Sequence, residues 1–150
     1  MSWLRVGVAV AAGVVAAAGV AMAGKGEDAR LAHGRYLVEQ VATCGDCHTP
    51  RDKQGRMDQA HALQGTRLVF APAVPIPDWA DTAPPIAGGP VGWSHADLVK
   101  FLETGMMPRG RTPRPPMPPF RFNHEDAEAV AAYITSLPPA EGPVSASMRR

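Results

Sequence analysis

Cys44-Gly45-Asp46-Cys47-His48 carries more information than any other five residues of this chain. Cys-x-x-Cys-His is the sequence at which haem is attached covalently to a polypeptide. Each thiol can form a thioether to one haem vinyl group, and the adjacent histidine can then reach the iron. The two-residue gap sets the sulfurs apart by about the separation of the vinyls, while a helical turn aims the imidazole at the metal. The motif therefore specifies a cofactor, haem c, held by Cys44, Cys47 and His48.

Other chemistries fit two cysteines less well. A structural zinc site needs four ligands, and the chain has no cysteine besides these two. His61 and His95 do not form the close pair that would complete such a site. A thioredoxin-like redox pair belongs at the end of a strand in a βαβ pattern, whereas the segment before Cys44 reads as helix. A disulfide between Cys44 and Cys47 would close a very short, strained loop.

The N-terminus supports the haem reading independently. Met1 to Arg5 carries one positive charge, Val6 to Val20 is an unbroken Ala/Val/Gly run, and Ala21-Met22-Ala23 fits a small-x-small cleavage pattern. Residues 1–23 are predicted to be an export signal removed after Ala23. The competing reading is an uncleaved anchor, because the apolar run is only slightly short of the roughly 20 residues that span a bilayer. Its Ala and Gly content makes it a weak one. Haem is attached to such motifs outside the cytoplasmic membrane, so the expected location is the periplasm. Thioethers there also remove two thiols that an oxidising space would otherwise attack.

Residues 24–150 amount to one domain. Arg5 is the one charged residue of 1–23, so removal of the signal leaves 14 basic against 14 acidic residues. This balance gives no sign of nucleic-acid binding. A second Cys-x-x-Cys-His is absent, so one haem is expected. The predicted division is a signal over 1–23, a haem-binding domain over 24–139 and a flexible tail over 140–150.

Three helices are legible, and the predicted fold is all-α. The first runs from about Glu27 to Val41, with Leu31, Leu37, Val38 and Val41 available for an inward face. The second opens with Ser94-His95-Ala96-Asp97, a cap followed three positions later by an acid. It places Leu98, Phe101 and Leu102 inward and stops at Gly105. The third starts at Asn123, has Glu125 and Asp126 where acids oppose the positive helix end, and aligns Val130, Tyr133, Ile134 and Leu137. Pro138-Pro139 ends it. Twelve of the 16 prolines lie between Pro72 and Pro119, a segment predicted to form neither a continuous helix nor a regular ladder. A long irregular loop normally argues against a compact domain, but a flat apolar macrocycle supplies a core for loops to wrap.

Iron held by His48 needs a ligand on its other face. Met117, in Arg114-Pro115-Pro116-Met117-Pro118-Pro119-Phe120, is the candidate, because flanking prolines hold it on a stiff extended segment. Met106 and Met107 are rivals, at the fraying end of the second helix where methionine is more often packing. His33, His61, His95 and His124 occupy polar positions and are expected to face solvent, as is Asp46.

With these residues in view, the chain resembles a class I, mitochondrial-type cytochrome c of the bacterial periplasm. The Cys-x-x-Cys-His motif near the start, Pro-Met117-Pro near the end and Ala131-Ala132-Tyr133-Ile134-Thr135-Ser136-Leu137 carry the resemblance. Gly34-Arg35-Tyr36-Leu37 also fits. In that family a small residue of the first helix lets the last helix cross closely, so a Gly34–Tyr133 contact is implied. Gly45 to Asp52, Gly92-Trp93-Ser94 and the Pro-Pro-Met-Pro-Pro run are most similar to single-haem proteins and domains serving membrane-associated dehydrogenases. Such relatives often have Asn, an aliphatic residue, Thr and Pro where this chain has Pro85-Ile86-Ala87-Gly88. A carbonyl near Pro84 or Pro85 is expected to accept the His48 Nδ1 proton, fixing the tautomer.

Iron with His48 on one face and Met117 on the other would be six-coordinate in both oxidation states, which suits outer-sphere transfer of single electrons. The thioether and haem burial raise the potential. The resemblance implies electron transfer, without catalysis by the chain itself, from a dehydrogenase or quinol-oxidising complex to another cytochrome or a terminal oxidase. Arg109, Arg111, Arg114 and Arg121 surround Met117 in sequence and predict a basic docking patch for an acidic redox partner. Two other classes stay open: a haem subunit of a membrane complex, anchored by Val6 to Val20, and a haem enzyme or sensor with a displaceable Met117. Trp79, Trp93 and Arg67 could contact the haem or its propionates, and packing explains each as well.

Overall fold

Helical periodicity before Cys44 becomes the first element of a computed structural model that describes residues 25–140. The predicted signal over 1–23 and the tail beyond Ala140 lie outside the described residues. Helix α1 covers 25–36 and widens into a π turn over Leu37–Val41. The Ala42 N–H donates to Leu37 O at 2.8 Å, and the Cys44 N–H to Val38 O at 3.0 Å. A π turn fits an extra residue into each turn and slips the phase of the helix. Leu37 and Val38 are therefore buried while Val41, predicted to face inward, is 52 % exposed.

Helix α2 is the short segment Gly45–His48. Helix α3 spans His95–Thr104 and begins where its sequence signals it should. Ser94 Oγ accepts the Asp97 N–H, and the Ser94 N–H donates to Asp97 Oδ2, a reciprocal capping box. Gly105 ends α3 in the left-handed region at φ 69°, where a Cβ would also meet Pro119. Helix α4 spans His124–Ser136, with Asn123 Oδ1 accepting the Asp126 N–H at 2.9 Å.

The core forms where α3, α4 and the end of α1 meet, around Val38, Leu98, Phe101, Val130 and Ile134. Tyr133 and Leu137 pack against it half-buried. Gly34 makes the α1–α4 crossing possible: a Cβ there would collide with the Ala129 carbonyl and approach Tyr133 Cβ to 2.9 Å. The expected Gly34–Tyr133 contact is thus present, with the Ala129 backbone pressed closer still.

The all-α expectation needs correction. A two-stranded antiparallel ribbon pairs β1, Thr66–Arg67, with β2, Thr82–Ala83, in the register Thr66↔Ala83 and Arg67↔Thr82. Strand β2 lies inside the proline-rich segment, in the gap between Pro77 and Pro84 where every residue retains its N–H. Two residues per strand are too few for alternating hydrophobicity to register, which is why the pattern did not reveal them. Among the described residues the fold is helix-rich, with helices α1 to α4, two short 3-10 turns at Gln59–His61 and Pro108–Gly110, and one small ribbon.

Candidate haem site

The turn bearing the motif is built by ordinary helical bonds, His48 N–H to Cys44 O at 3.0 Å and Thr49 N–H to Gly45 O at 3.0 Å. It puts Cys44, Cys47 and His48 within one turn of backbone. Both cysteines are free thiols, so no disulfide competes for them. Burial pushes the Cys44 thiol up to about 11. Burial, then the Asp46 charge, also raises Cys47. Asp46 is exposed, as expected, with Arg51 4.0 Å away.

His48 is 5 % exposed. Its Nδ1 lies 2.7 Å from Pro84 O. A carbonyl oxygen can only accept, so the proton resides on Nδ1 and Nε2 keeps its lone pair. Burial lowers the His48 pKa against a smaller opposing effect of that hydrogen bond, which holds the ring neutral. A neutral imidazole with its second nitrogen fixed by a carbonyl is the form that ligates a metal.

Three residues that sequence reasoning passed over position this pair. Thr49 Oγ1, buried, accepts the Leu63 N–H at 3.0 Å. Leu63 O accepts from Ile86 and Ala87 at 2.9 and 3.1 Å, tying the motif to the Pro84–Ala87 stretch. Gly65, at φ 80°, donates its N–H to His48 O at 2.7 Å. A Cβ on Gly65 would lie 2.6 Å from Pro85 N and 2.9 Å from Ala83 O. Only glycine lets the Pro84 carbonyl come close enough for His48, and the ribbon beside it sets the register. No local pattern marks these residues, because each acts on a segment remote in sequence.

Met117 sits in a turn closed by its N–H to Arg114 O at 3.1 Å, and its half-buried side chain packs against the core. Met107 also packs against the core, whereas Met106 is exposed. The Met117 turn is fastened to the loop before β2. Arg114 Nε donates to Asp78 O at 2.8 Å, an Arg114 Nη to Trp79 O at 2.7 Å, and the Ala80 N–H to Pro115 O at 2.7 Å. Arg114 is exposed, and these bonds tie its guanidinium to the loop bearing Asp78 and Trp79. Arg121 likewise donates to Phe120 O at 2.7 Å. Arg109 and Arg111 are exposed and have no ion-pair partner among the described residues.

Trp93 packs edge-on against Phe101 with centroids 5.4 Å apart, and Trp79 against Phe70 at 6.0 Å, so packing accounts for both. Arg67 is exposed on β1. The residues present fit a haem attached at Cys44 and Cys47: the thiols are free, the imidazole is neutral with Nε2 unengaged, and a thioether lies on the core side of a fastened turn.

A histidine held in this way, directly after two reduced thiols and over a helical core, defines a cytochrome c domain. The family described as "Cytochrome C oxidase, cbb3-type, subunit III" matches residues 29–134, and the chain belongs to this family. With it come covalent haem c and electron transfer as the domain's business. The chain is 34 % identical over 113 residues to a diheme cytochrome c-type protein of Cereibacter sphaeroides, covering 72 % of this chain and 36 % of that protein. It is 32 % identical over 123 residues to the cytochrome c subunit of alcohol dehydrogenase (quinone) of Gluconacetobacter polyoxogenes, covering 76 % and 26 %. The gluconate 2-dehydrogenase cytochrome c subunit of Pantoea cypripedii is 36 % identical over 126 residues, covering 74 % and 27 %. The match spans about a third or less of the length of these relatives.

Proposed function

We propose that the chain carries single electrons by outer-sphere transfer through one haem that Cys44 and Cys47 would bind covalently and whose iron His48 and Met117 would hold. When bound, the haem would supply the one-electron redox centre. The observation that carries the reading is the buried His48, whose Nδ1 is spent on Pro84 O at 2.7 Å. Met117 would add a soft thioether that favours ferrous iron. Burial of the haem by the helices and proline-rich loops would favour the less charged state. Arg114 holds the Met117 turn in place.

The electron donor in this reading is a dehydrogenase or quinol-oxidising complex, and the acceptor another cytochrome or a terminal oxidase. The work is done in the periplasm after removal of residues 1–23. A second reading makes the chain a haem-bearing, membrane-anchored subunit of a dehydrogenase complex, favoured by the naming of two relatives as cytochrome c subunits of dehydrogenases. The intact mass of the haem-staining protein in soluble and membrane fractions separates the two. A soluble species lacking 1–23 with one haem supports the carrier, and a full-length haem protein confined to membranes supports the subunit. Met117→Ala should abolish the thioether-to-iron charge-transfer band of the ferric protein and open the ferrous iron to carbon monoxide. Rapid carbon monoxide binding by the unaltered protein would instead indicate a haem enzyme or sensor.

A further inference from the structure

Pro138-Pro139 does more than stop α4. In a continuing helix the Ile134 carbonyl would accept from the N–H of residue 138, and proline there has none. This carbonyl, one of the orphans that every helix end leaves, accepts instead from the Gly88 N–H at 3.0 Å and from the Leu137 N–H at 3.3 Å. Ile134 and Ala87 are buried, and a hydrogen bond there is worth more than at the surface. Pro139 then lies across Gly88. A Cβ on Gly88 would stand 2.7 Å from Pro139 Cα and 2.8 Å from Pro139 Cβ, and φ there is 77°. Only glycine meets both demands.

What this junction holds is the segment that reaches His48. The Pro84–Pro85 peptide has no N–H, so the carbonyl facing His48 Nδ1 takes its direction from the residues on either side. On one side Ala83 is paired with Thr66. On the other, the Ile86 and Ala87 N–H groups share one acceptor, Leu63 O, a single point about which the segment can pivot. The Gly89 N–H closes a turn onto Ile86 O at 2.9 Å, and the Gly88–Ile134 bond ties that turn to α4 as a second point. Two points fix a direction where one does not. We propose that Gly88, Ile134, Pro138 and Pro139 are positioning residues for His48: the end of α4 holds the Pro84 carbonyl on Nδ1 and thereby sets the reduction potential. A firm bond to Nδ1 makes the imidazole a stronger donor, which favours the oxidised metal. Loosening the junction therefore raises the potential. This inference rests on the electron-carrier reading above and adds residues of the last helix to it.

The test uses the haem-loaded, full-length protein. Pro138→Ala, at an exposed position, restores an N–H that can reclaim Ile134 O from Gly88. It should raise the equilibrium constant for reduction roughly threefold to tenfold, the weight of one hydrogen bond. The His48 Nδ1–H, followed by NMR of the reduced protein, should exchange faster with deuterium, and the thioether-to-iron band of the ferric protein should be unchanged. Gly88→Ala should act in the same direction. Because both variants break the same bond, the double variant should shift the potential no further than the larger single one. Should Gly88→Ala fail to fold, Pro138→Ala alone decides. An unchanged or lowered potential, or unchanged exchange, in Pro138→Ala overturns the proposal. So do additive shifts, and so does a shift with loss of the thioether band, which would assign the effect to the Met117 side. An unaltered protein that lacks the band or binds carbon monoxide rapidly removes the electron-carrier reading and this inference with it. An unchanged potential in a protein that keeps the band removes this inference alone.

Discussion

At the scale of single residues, the site depends on contacts made to backbone rather than to other functional side chains. His48 is oriented by a carbonyl that Gly65 admits, and Met117 by a turn that Arg114 anchors. Gly65→Ala combines strain at φ 80° with a collision against Pro85 N. It should destabilise the holo-protein by roughly 1–3 kcal/mol in urea unfolding, with an unchanged denaturant slope. Arg114→Ala removes two bonds from a charged donor to carbonyls. A loss of roughly 1–2 kcal/mol is expected, discounted for solvent exposure. Its signature is specific: the thioether-to-iron band should disappear at a lower temperature than in the unaltered protein, before the helices melt. Arg111→Ala, which makes no such bond, should leave that temperature unchanged.

At the scale of elements, the helices are joined by a close crossing on one side and by paired charges on another. Gly34→Ala would drive a methyl group into the Ala129 carbonyl, and overpacking of that kind costs roughly 1–3 kcal/mol, measurable as a lowered thermal midpoint. His33 pairs with Asp126 at 2.7 Å, linking α1 to α4. His95 pairs with Glu128 at 2.9 Å, and His124 with Glu103 at 2.7 Å, linking α3 to α4. All four histidines expected to face solvent are exposed; His33, His95 and His124 serve as interhelical clamps, while His61 pairs locally with Asp58 at 2.7 Å.

The hydrogen bond to Glu103, then the charges of Glu103 and Glu128, raises the His124 pKa. The hydrogen bond from His95 lowers that of Glu128. The His124 contribution to stability is complete below its ordinary value of 6.5 and is lost as pH rises through the raised value. The Glu128 contribution is complete above 4.5 and is lost as pH falls through the lowered value. These clamps therefore contribute most between pH 4.5 and 6.5. Thermal midpoints across pH should show this, and His124→Gln should flatten the alkaline side.

At the scale of the whole molecule, the polypeptide has a helical core and a loop region whose own buried apolar residues are few: Leu63, Ala83 and Ala87. A segment so rich in proline cannot satisfy itself by regular hydrogen bonding, so the haem should complete the core there. The double variant Cys44→Ser, Cys47→Ser, which cannot form thioethers, should yield a chain with much reduced helical circular dichroism and rapid proteolysis between Leu68 and Pro119. A native-like spectrum in that variant would show that the helical core stands without the haem.

The sequence alone determined what acts through local chemistry: the cysteine spacing and adjoining histidine that specify haem, the Ser94 and Asn123 caps, and the apolar faces of α3 and α4. Helical caps and faces are legible because their partners lie within four residues. Tertiary structure decided the rest: the π turn that rotates Val41 outward, the β1–β2 ribbon, the room Gly65 leaves for the Pro84 carbonyl to reach His48, and the fastening of the exposed Arg114 to the loop before β2. All but the π turn join segments far apart in the chain. Their energies depend on a close approach that no window of neighbouring residues records.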